Sequence, residues 1–307
     1  MPKAPPYVYE KLTWPEINDA VAAGKIPIVP VGSIEQHGPH LPLDVDCVCP
    51  QAVAYAAAQR VPDDVLVLPV IPLGYLGHVM DFPGTINVHY QHFIDIMIDI
   101  GKSLAYHGFK KMIFLNGHGS NMPNLDLACR RINLETDAEC TLLAWWSLLT
   151  IDPAFMKTWR EGDFPGSCAH ACELETSMYL HLDHDNVRHD KCEDGRLRQN
   201  EDRSAFNWVD LFGAGPAGLV RWTSEYMGNG TGGAADLATA EKGKAALDEA
   251  GRQLAAYVAF FKKQAKPVRV DRHGERPTFP MPWGQGVTTP ALHAPDPDDE
   301  KLTRPNR

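Results

Sequence analysis

The chain has 307 residues, of which 44% are hydrophobic, and it carries a formal net charge of −10 with an isoelectric point near 5.7. An acidic surface opposes binding to the phosphates of nucleic acid, so nucleic acid is not an expected partner. No apolar run approaches the roughly 20 residues that cross a bilayer, so no membrane association is expected. A chain of this length can bury the core of one large domain or of two smaller ones.

The cysteine count and the N-terminal sequence predict a cellular compartment. The first ten residues contain three prolines and lack the apolar stretch of a secretory signal. Seven cysteines, an odd number, fit reduced thiols better than a disulfide framework. The sequence therefore predicts a soluble cytoplasmic protein.

The predicted elements alternate regularly in the first half of the chain. Thr13 and Glu16 have the spacing of a capping box, which predicts a helix over residues 14–23. After it come a strand at 26–31, a helix at 50–59, a strand at 65–70, a helix at 89–107, a strand at 111–116, a helix at 123–134 and a strand at 140–145. Apolar strands alternating with helices predict an α/β fold, a three-layer αβα sandwich with a mainly parallel sheet.

The second half of the chain has weaker signals. Helices are predicted at 173–182 and 237–263, and the glycine-rich stretch 211–235 is predicted to be a mobile loop or lid. Its glycine patterns at 213–218 and 228–233 lack the flanking strand and helix of a dinucleotide site and the lysine of a phosphate-binding loop. Residues 266–307 are rich in proline, glycine and charge, so we expect a domain over 1–265 and an extended tail over 266–307.

Polar clusters directly follow two of the predicted strands. Glu35 and His37, with Asp46 a little further on, come after the strand at 26–31, and His118 comes after the strand at 111–116. In open α/β sheets, ligands bind beyond the carboxyl ends of the strands, so these clusters could converge on one site. Glu35 and His37 are two residues apart, so in an extended segment their side chains point to the same face.

These residue types are the ligands of a two-metal hydrolase, in which carboxylates and imidazoles surround two divalent cations that activate a water. Mixed oxygen and nitrogen ligands suit Zn²⁺ or Mn²⁺, and Fe²⁺ is a further candidate. The sequence therefore predicts a metal-dependent enzyme with two divalent ions as cofactors.

A third cluster contains His170, Glu173 and Glu175. If a helix begins here, His170 and Glu173 share a face, and Glu175 is rotated about 200° away from Glu173. This favours Glu173 as a metal ligand and His170 as a general acid or base. Glu175 is then expected to hydrogen-bond the backbone or a ligand histidine. Cys168 and Cys172 flank His170, so a cysteine nucleophile is an alternative, but it leaves the other clusters without a role.

The substrate is expected to contact a mixture of polar and aromatic side chains. The predicted substrate-binding residues are His78, Asp81, Trp146, Trp222 and Glu225. Aromatic and charged residues beside glycines favour a polar, ring-shaped substrate, such as an oxidised inositol or sugar.

Taken together, the motifs resemble those of the creatininase family of binuclear metal amidohydrolases. The similarity extends over residues 12–263 and includes Gly32-Ser33-Ile34-Glu35-Gln36-His37-Gly38, Phe82-Pro83-Gly84-Thr85, Asn116-Gly117-His118-Gly119 and Glu175-Thr176-Ser177. The resemblance implies Glu35, His37, Asp46 and His118 as ligands with Asp46 between the ions, and His170 as the catalytic histidine. It also implies a homo-oligomer, commonly a hexamer.

The chain departs from creatininase itself at two positions. Ser120 stands where that enzyme has a glutamate ligand, so Glu173 would take over, and Gly166 stands where it has a tryptophan over the substrate. We therefore do not expect creatinine as the substrate. The predicted function is hydrolysis of a small polar cyclic substrate, at the C–N bond of a cyclic amide or a C–C bond of a cyclic diketone. The alternative is a non-catalytic protein that binds metal or a small molecule on the same scaffold.

Overall fold

A parallel sheet of four strands forms the centre of the molecule. The structure, a computed structural model, describes residues 4–197 and 204–275. The strand order is β2-β1-β3-β4, with β1 at Ile26–Val31, β2 at Val65–Val67, β3 at Lys111–Asn116 and β4 at Glu139–Ala144. Val31 pairs with Asn116, and Asn116 pairs with Ala144. Three strands therefore end at the same level, and the segments that follow them begin at one edge of the sheet.

Helices cover both faces of this sheet. One face carries α1 (Trp14–Ala22), α3 (Tyr90–Tyr106) and α4 (Met122–Glu135), and the other carries α2 (Val45–Arg60), α6 (Glu173–Leu182) and α7 (Ala240–Lys263). Alternate residues of β1 face the two layers: Ile28 belongs to the core with α2, α6 and α7, and Val29 to the core with α1, α3 and α4. The predicted three-layer αβα sandwich is confirmed. Among the described residues, no helix is long and apolar enough to span a membrane.

The start of α2 differs from its prediction in a way that matters for function. The sequence predicted an alanine-rich helix from Pro50 to Gln59. Instead α2 begins at Val45, and Pro50 lies inside it. Asp46 therefore lies in the first turn of a helix that packs on the sheet, not in a loop.

Several short elements between residues 150 and 235 were not predicted. They are α5 (Pro153–Trp159), β5 (Cys168–His170), β6 (Val209–Asp210), β7 (Gly213–Ala214) and β8 (Gly232–Gly233). β5 pairs with β8, and β6 pairs with β7, both antiparallel. The stretch predicted as a lid thus contributes strands next to His170. In the predicted tail, residues 266–275 form neither helix nor strand, and residues 276–307 lie outside the described residues.

Candidate metal centre

Two glycines allow the start of α2 to approach the ends of the central strands. A Cβ added to Gly32, just after β1, would lie 2.5 Å from the backbone oxygen of Asp46, and one added to Gly117, just after β3, would lie 2.1 Å from the same atom. Only glycine fits contacts this close. The sequence therefore places the Asp46 side chain between the two strand ends.

Gly117→Ala should consequently disturb the centre. Because the clash is with backbone and Pro50, we expect a loss of about 1–3 kcal/mol in the free energy of unfolding and a reduced metal content. The matched control is Gly119→Ala, since a Cβ at Gly119 meets nothing within 4 Å. Chemical denaturation and elemental analysis measure both effects. Equal stability and metal content in the two variants would contradict this packing argument.

Five buried side chains form two groups that share Asp46. One group is Glu35, Asp46 and His118, and the other is His37, Asp46 and Glu175. In each group one ligand atom per residue lies within 4.8 Å of the others, a spacing that can hold a metal ion. Four of these residues were predicted as ligands, and the structure brings all four together.

Hydrogen bonds orient these side chains. The Nδ1 atom of His37 donates to the backbone oxygen of Glu35 at 3.1 Å, which leaves Nε2 directed at the Asp46 carboxylate, 3.3 Å away. Ser33 donates its hydroxyl to Asp46 at 2.6 Å. His118 Nδ1 lies 2.7 Å from Glu35 Oε2 and 3.2 Å from Asp46 Oδ2. A fixed imidazole with a backbone acceptor on its far side is the usual support of a metal ligand.

Glu173, predicted as a ligand, lies outside both groups. Its carboxylate accepts hydrogen bonds from Lys242 Nζ at 2.8 Å and from the backbone N–H groups of Glu161 and Gly162 at 3.0 Å. The prediction placed His170 and Glu173 on one helix face, but α6 begins at Glu173 and His170 belongs to β5. Ala171, between them, has a φ of 49°, a turn that the spacing argument did not include.

Glu175 lies among the candidate metal ligands, where Glu173 was predicted to lie. Its Oε2 atom accepts from the backbone N–H of Ala171 at 2.5 Å, so the predicted backbone contact is present. Its carboxylate also stands beside His37 and Asp46. The first turn of α6 therefore presents Glu175 to the centre and Glu173 to the α5 and α7 side.

The charges in this cluster fit bound cations. Three carboxylates, Glu35, Asp46 and Glu175, are buried with only imidazoles as positive partners among the described residues. Burial raises the pKa of Glu175 to about 7 in spite of the His37 charge. His118 Nε2 is buried without a hydrogen-bond partner. Glu35 Oε2 and His37 Nε2 are buried beside His118 and Asp46, but neither contact has the geometry of a hydrogen bond. Buried carboxylates need a compensating charge, and this mixed donor set suits Zn²⁺ or Mn²⁺.

Without a cation, protons on the imidazoles supply the positive charge. Burial would lower the pKa of His37, but the Asp46 carboxylate and its acidic neighbours raise it to about 10. Burial would also lower the pKa of His118, but the Glu35 and Asp46 carboxylates raise it well above its usual value. Burial would raise the pKa of Asp46, yet His37 and His118 hold it well below its usual range.

Metal binding should therefore release protons. Cations bind neutral imidazole and ionised carboxylate. At neutral pH we therefore expect release of about two protons from His37 and His118 on loading, and a further fraction of a proton from Glu175, whose pKa is about 7. The apparent affinity for metal should rise with pH up to about 10. The metal-free protein should behave in the opposite way: the stabilisation that comes from the raised His37 pKa is complete below about pH 6.5 and is lost as the pH rises towards 10. Titration calorimetry in buffers of different ionisation enthalpy measures the protons. Heats that are independent of the buffer would contradict the prediction.

His170 lies outside the two groups that share Asp46, and with Glu35 and His37 it forms a third group of possible metal ligands. Its Nε2 atom is 2.8 Å from the backbone oxygen of Gln36 and 3.8 Å from Glu35 Oε1, and its ring lies against the His37 ring, tilted by 37°, with centroids 4.3 Å apart. The same Nε2 atom lies 3.0 Å from the side-chain amide nitrogen of Gln36. The carbonyl oxygen can only accept and the amide nitrogen can only donate, so the two contacts call for opposite tautomers of the ring. Burial and the charge of His37 lower the pKa of His170 to about 4, so the ring is neutral near pH 7.

The sequence analysis assigned no role to Gln36, the residue between Glu35 and His37. Its side-chain oxygen accepts from the N–H of Gly38 at 2.9 Å, and its Nε2 donates to the Gly230 oxygen at 3.1 Å. Gln36 thus connects the ligand segment, the glycine-rich stretch and His170. The only sequence signal for a role of Gln36 is its position between Glu35 and His37.

Cys168 and Cys172 do not support the cysteine alternative. Both are fully buried, with sulfur atoms 3.3 Å apart. Burial raises the pKa of the Cys172 thiol well above its usual value, and a thiol that stays protonated is a poor nucleophile. All seven cysteines lie in the described part of the chain, and none forms a disulfide.

A cavity of about 360 Å³ opens onto the cluster. His170, His78 and Trp146 line it, together with the ligand-type residues Glu35, Asp46, His118 and Glu175. His78 also lies 3.2 Å from the hydroxyl of Ser120, the residue that stands in place of the creatininase glutamate.

Three predicted substrate-binding residues do not line this cavity. Asp81 accepts a hydrogen bond from the hydroxyl of Ser224 and so ties two loops together. Trp222 is half exposed and precedes a short 3-10 helix, Thr223–Glu225, of which Glu225 is the last residue. Their sequence positions near glycines did not indicate which side of the loop faces inward.

The fold and the site define a class of protein: an α/β enzyme with a candidate metal centre at the carboxyl edge of a parallel sheet. The chain belongs to the creatininase family, whose profile, described as creatinine amidohydrolase, matches residues 10–258. It is a metal hydrolase of that family.

Characterised relatives have different substrates in their names. The chain is 30% identical over 250 residues to the creatinine amidohydrolase of Pseudomonas putida, covering 78% of this chain and 90% of that one. It is 28% identical to the 3-dehydro-scyllo-inosose hydrolase of Thermotoga maritima, covering 78% of each chain. A mycofactocin precursor peptide peptidase of Mycolicibacterium smegmatis is 32% identical over 53% of this chain and 60% of its own.

Solved structures agree with the fold. A crystal structure of creatinine amidohydrolase superimposes with a TM-score of 0.68 at 26% identity, covering 84% of this chain and 99% of that one. A manganese form of creatininase gives the same TM-score at 28% identity, and a Zn-Zn form of a creatininase mutant does so at 27%, each over 84% of this chain and 99% of its own.

Proposed function

We propose that this chain uses two divalent cations, Zn²⁺ or Mn²⁺, to open a small cyclic substrate at a carbonyl carbon. The first candidate reaction is cleavage of the C–N bond of a cyclic amide, and the second, supported by the likeness to an inosose hydrolase, is cleavage of a C–C bond in a cyclic diketone. The observation that carries the proposal is the sharing of Asp46 by two ligand groups at a cavity that also contains His170.

The ligand assignment follows from the two groups. Glu35, Asp46 and His118 would hold one cation, and His37, Asp46 and Glu175 the other, so that Asp46 bridges them. When bound, such a pair of cations polarises a carbonyl and lowers the pKa of a water. The manganese and Zn-Zn forms of creatininase support these two metals.

His170 is the proposed proton-transfer residue. Its Nε2 atom lies beside the Gln36 oxygen and near Glu35, at the edge of the ligand cluster. A neutral imidazole in this position can take a proton from the attacking water and, as imidazolium, give it to the leaving atom. The Gln36 contact keeps the ring in the orientation that this transfer needs.

Turnover of a substrate panel tests the proposal. Lactams, cyclic ureas and cyclic diketones are offered to protein loaded with Zn²⁺ or Mn²⁺, and to the same protein after chelation. We expect at least one ring to be opened, only by the loaded protein. If two cations bind and no ring is opened, the non-catalytic binding alternative replaces this proposal.

The assembly and location of the protein follow from the family likeness and the free thiols. We propose a cytoplasmic homo-oligomer, a hexamer by resemblance, acting on a small molecule. Sedimentation velocity measures the assembly directly.

A further inference from the structure

We propose that the cavity selects uncharged substrates that carry an apolar group beside the carbonyl that is attacked. This inference rests on the proposed function and names its substrate class. It replaces the polar ring expected from the sequence, because three of the residues that favoured such a ring, Asp81, Trp222 and Glu225, do not line the cavity.

Most of the lining residues other than the ligands belong to residues 204–227, here called the wall segment. Its polar lining residues are Asn207, Thr223 and Tyr226, and its large apolar ones are Trp208, Val209, Leu211, Leu219, Val220 and Met227. Leu219 is 54% exposed and Val220 is 78% exposed. Large apolar side chains that remain exposed at the mouth of a site are suited to cover an apolar part of a ligand.

The wall segment is held in place by polar contacts on its far side. Arg160 donates two hydrogen bonds to Asp210, at 2.9 and 2.8 Å, and Asp210 also accepts from the N–H of Gly166. Trp208 packs edge-on against Phe164 with ring centroids 5.4 Å apart. A Cβ at Gly215 would lie 2.6 Å from backbone, so the segment fits closely around Trp208. The apolar surface is therefore preformed.

The charges around the cavity exclude a charged substituent. Among the described residues, no lysine or arginine lines it, and its carboxylates are the proposed metal ligands. An ionised substituent would be desolvated without a partner, which is costly. Outside the two ligand groups, the polar side chains that line the cavity include His78, Ser120, His170, Asn207, Thr223 and Tyr226. His78 and Ser120 contact each other, so fewer of these groups remain to bind the hydroxyl groups of a polyol.

The test compares matched compounds on zinc-loaded protein. Hydantoin, hydantoin with a benzyl group on its ring carbon, hydantoin with a carboxymethyl group there, and an oxidised inositol diketone are compared by kcat/KM. Calorimetric binding to zinc-loaded His170→Ala protein is measured in parallel. We expect the benzyl compound to exceed each of the others by about tenfold or more.

Variants locate the selectivity. Trp208→Ala should reduce the benzyl preference and Trp208→Phe should restore part of it, while Phe206→Ala, at a 70% exposed neighbour outside the lining, should leave it unchanged. Val220→Lys, at a position too exposed to affect folding, should shift preference toward the carboxymethyl compound by about tenfold.

The outcomes separate this inference from the proposed function. Turnover that prefers plain hydantoin or the diketone overturns the inference and leaves the function standing. Tight binding of the benzyl compound without any turnover supports the inference about the cavity and contradicts the hydrolytic role. Binding without preference in any protein overturns the inference.

Discussion

Glu175→Gln is expected to remove one of two cations, whereas Glu173→Gln, two residues earlier in the same helix, is expected to keep both. Glu175 stands with His37 and Asp46, and an amide is a much poorer metal ligand than a carboxylate. Activity of Glu175→Gln should fall to background. Elemental analysis of the dialysed, reloaded proteins gives the metal content of each.

Glu173→Gln should instead affect stability. The carboxylate is fully buried against Lys242, whose side chain is 13% exposed, and removing one charge of a buried pair costs about 3 kcal/mol. We expect that loss in the free energy of unfolding by denaturation of the metal-loaded protein, with both cations still bound. Loss of a cation from Glu173→Gln, with normal content in Glu175→Gln, would reverse the assignment.

His170→Ala is expected to lower kcat by about 10²–10⁴-fold while leaving two cations bound. In the proposed mechanism this imidazole takes a proton from water and passes it to the leaving atom. It also lies within ligand spacing of Glu35 and His37, but neither of the two proposed cation sites, which share Asp46, uses it as a ligand. Steady-state kinetics on the responding substrate, with metal content measured on the same sample, checks both parts.

A matched control separates this role from general damage. His184→Ala removes an exposed histidine just after α6 and should leave kcat unchanged. Full activity in His170→Ala would show that another group transfers the proton, and His78 would then be the next candidate because it also lines the cavity.

Much of the candidate site could be predicted from sequence because it depends on local rules. Glu35, His37 and His118 follow apolar strands, and parallel strands end at one edge. Gly32 and Gly117 mark the close approach of Asp46 to those strands. The strand signals lie within a few residues of Glu35, His37 and His118, whereas the approach of Gly32 and Gly117 to Asp46 is a contact between separate parts of the chain.

The remaining features depend on contacts that no local pattern contains. The choice between Glu173 and Glu175 follows from the turn at Ala171 and from Lys242, nearly 70 residues away. The position of the wall segment depends on the pairing of Arg160 with Asp210. Periodicity could not indicate it, because its strands are two residues long.

Anomalous diffraction from crystals of the manganese-loaded protein tests the central claim most directly. The account predicts two anomalous peaks per chain on either side of the Asp46 carboxylate, one within reach of Glu35 and His118 and the other within reach of His37 and Glu175. A single peak, or a peak at Glu173, would contradict it.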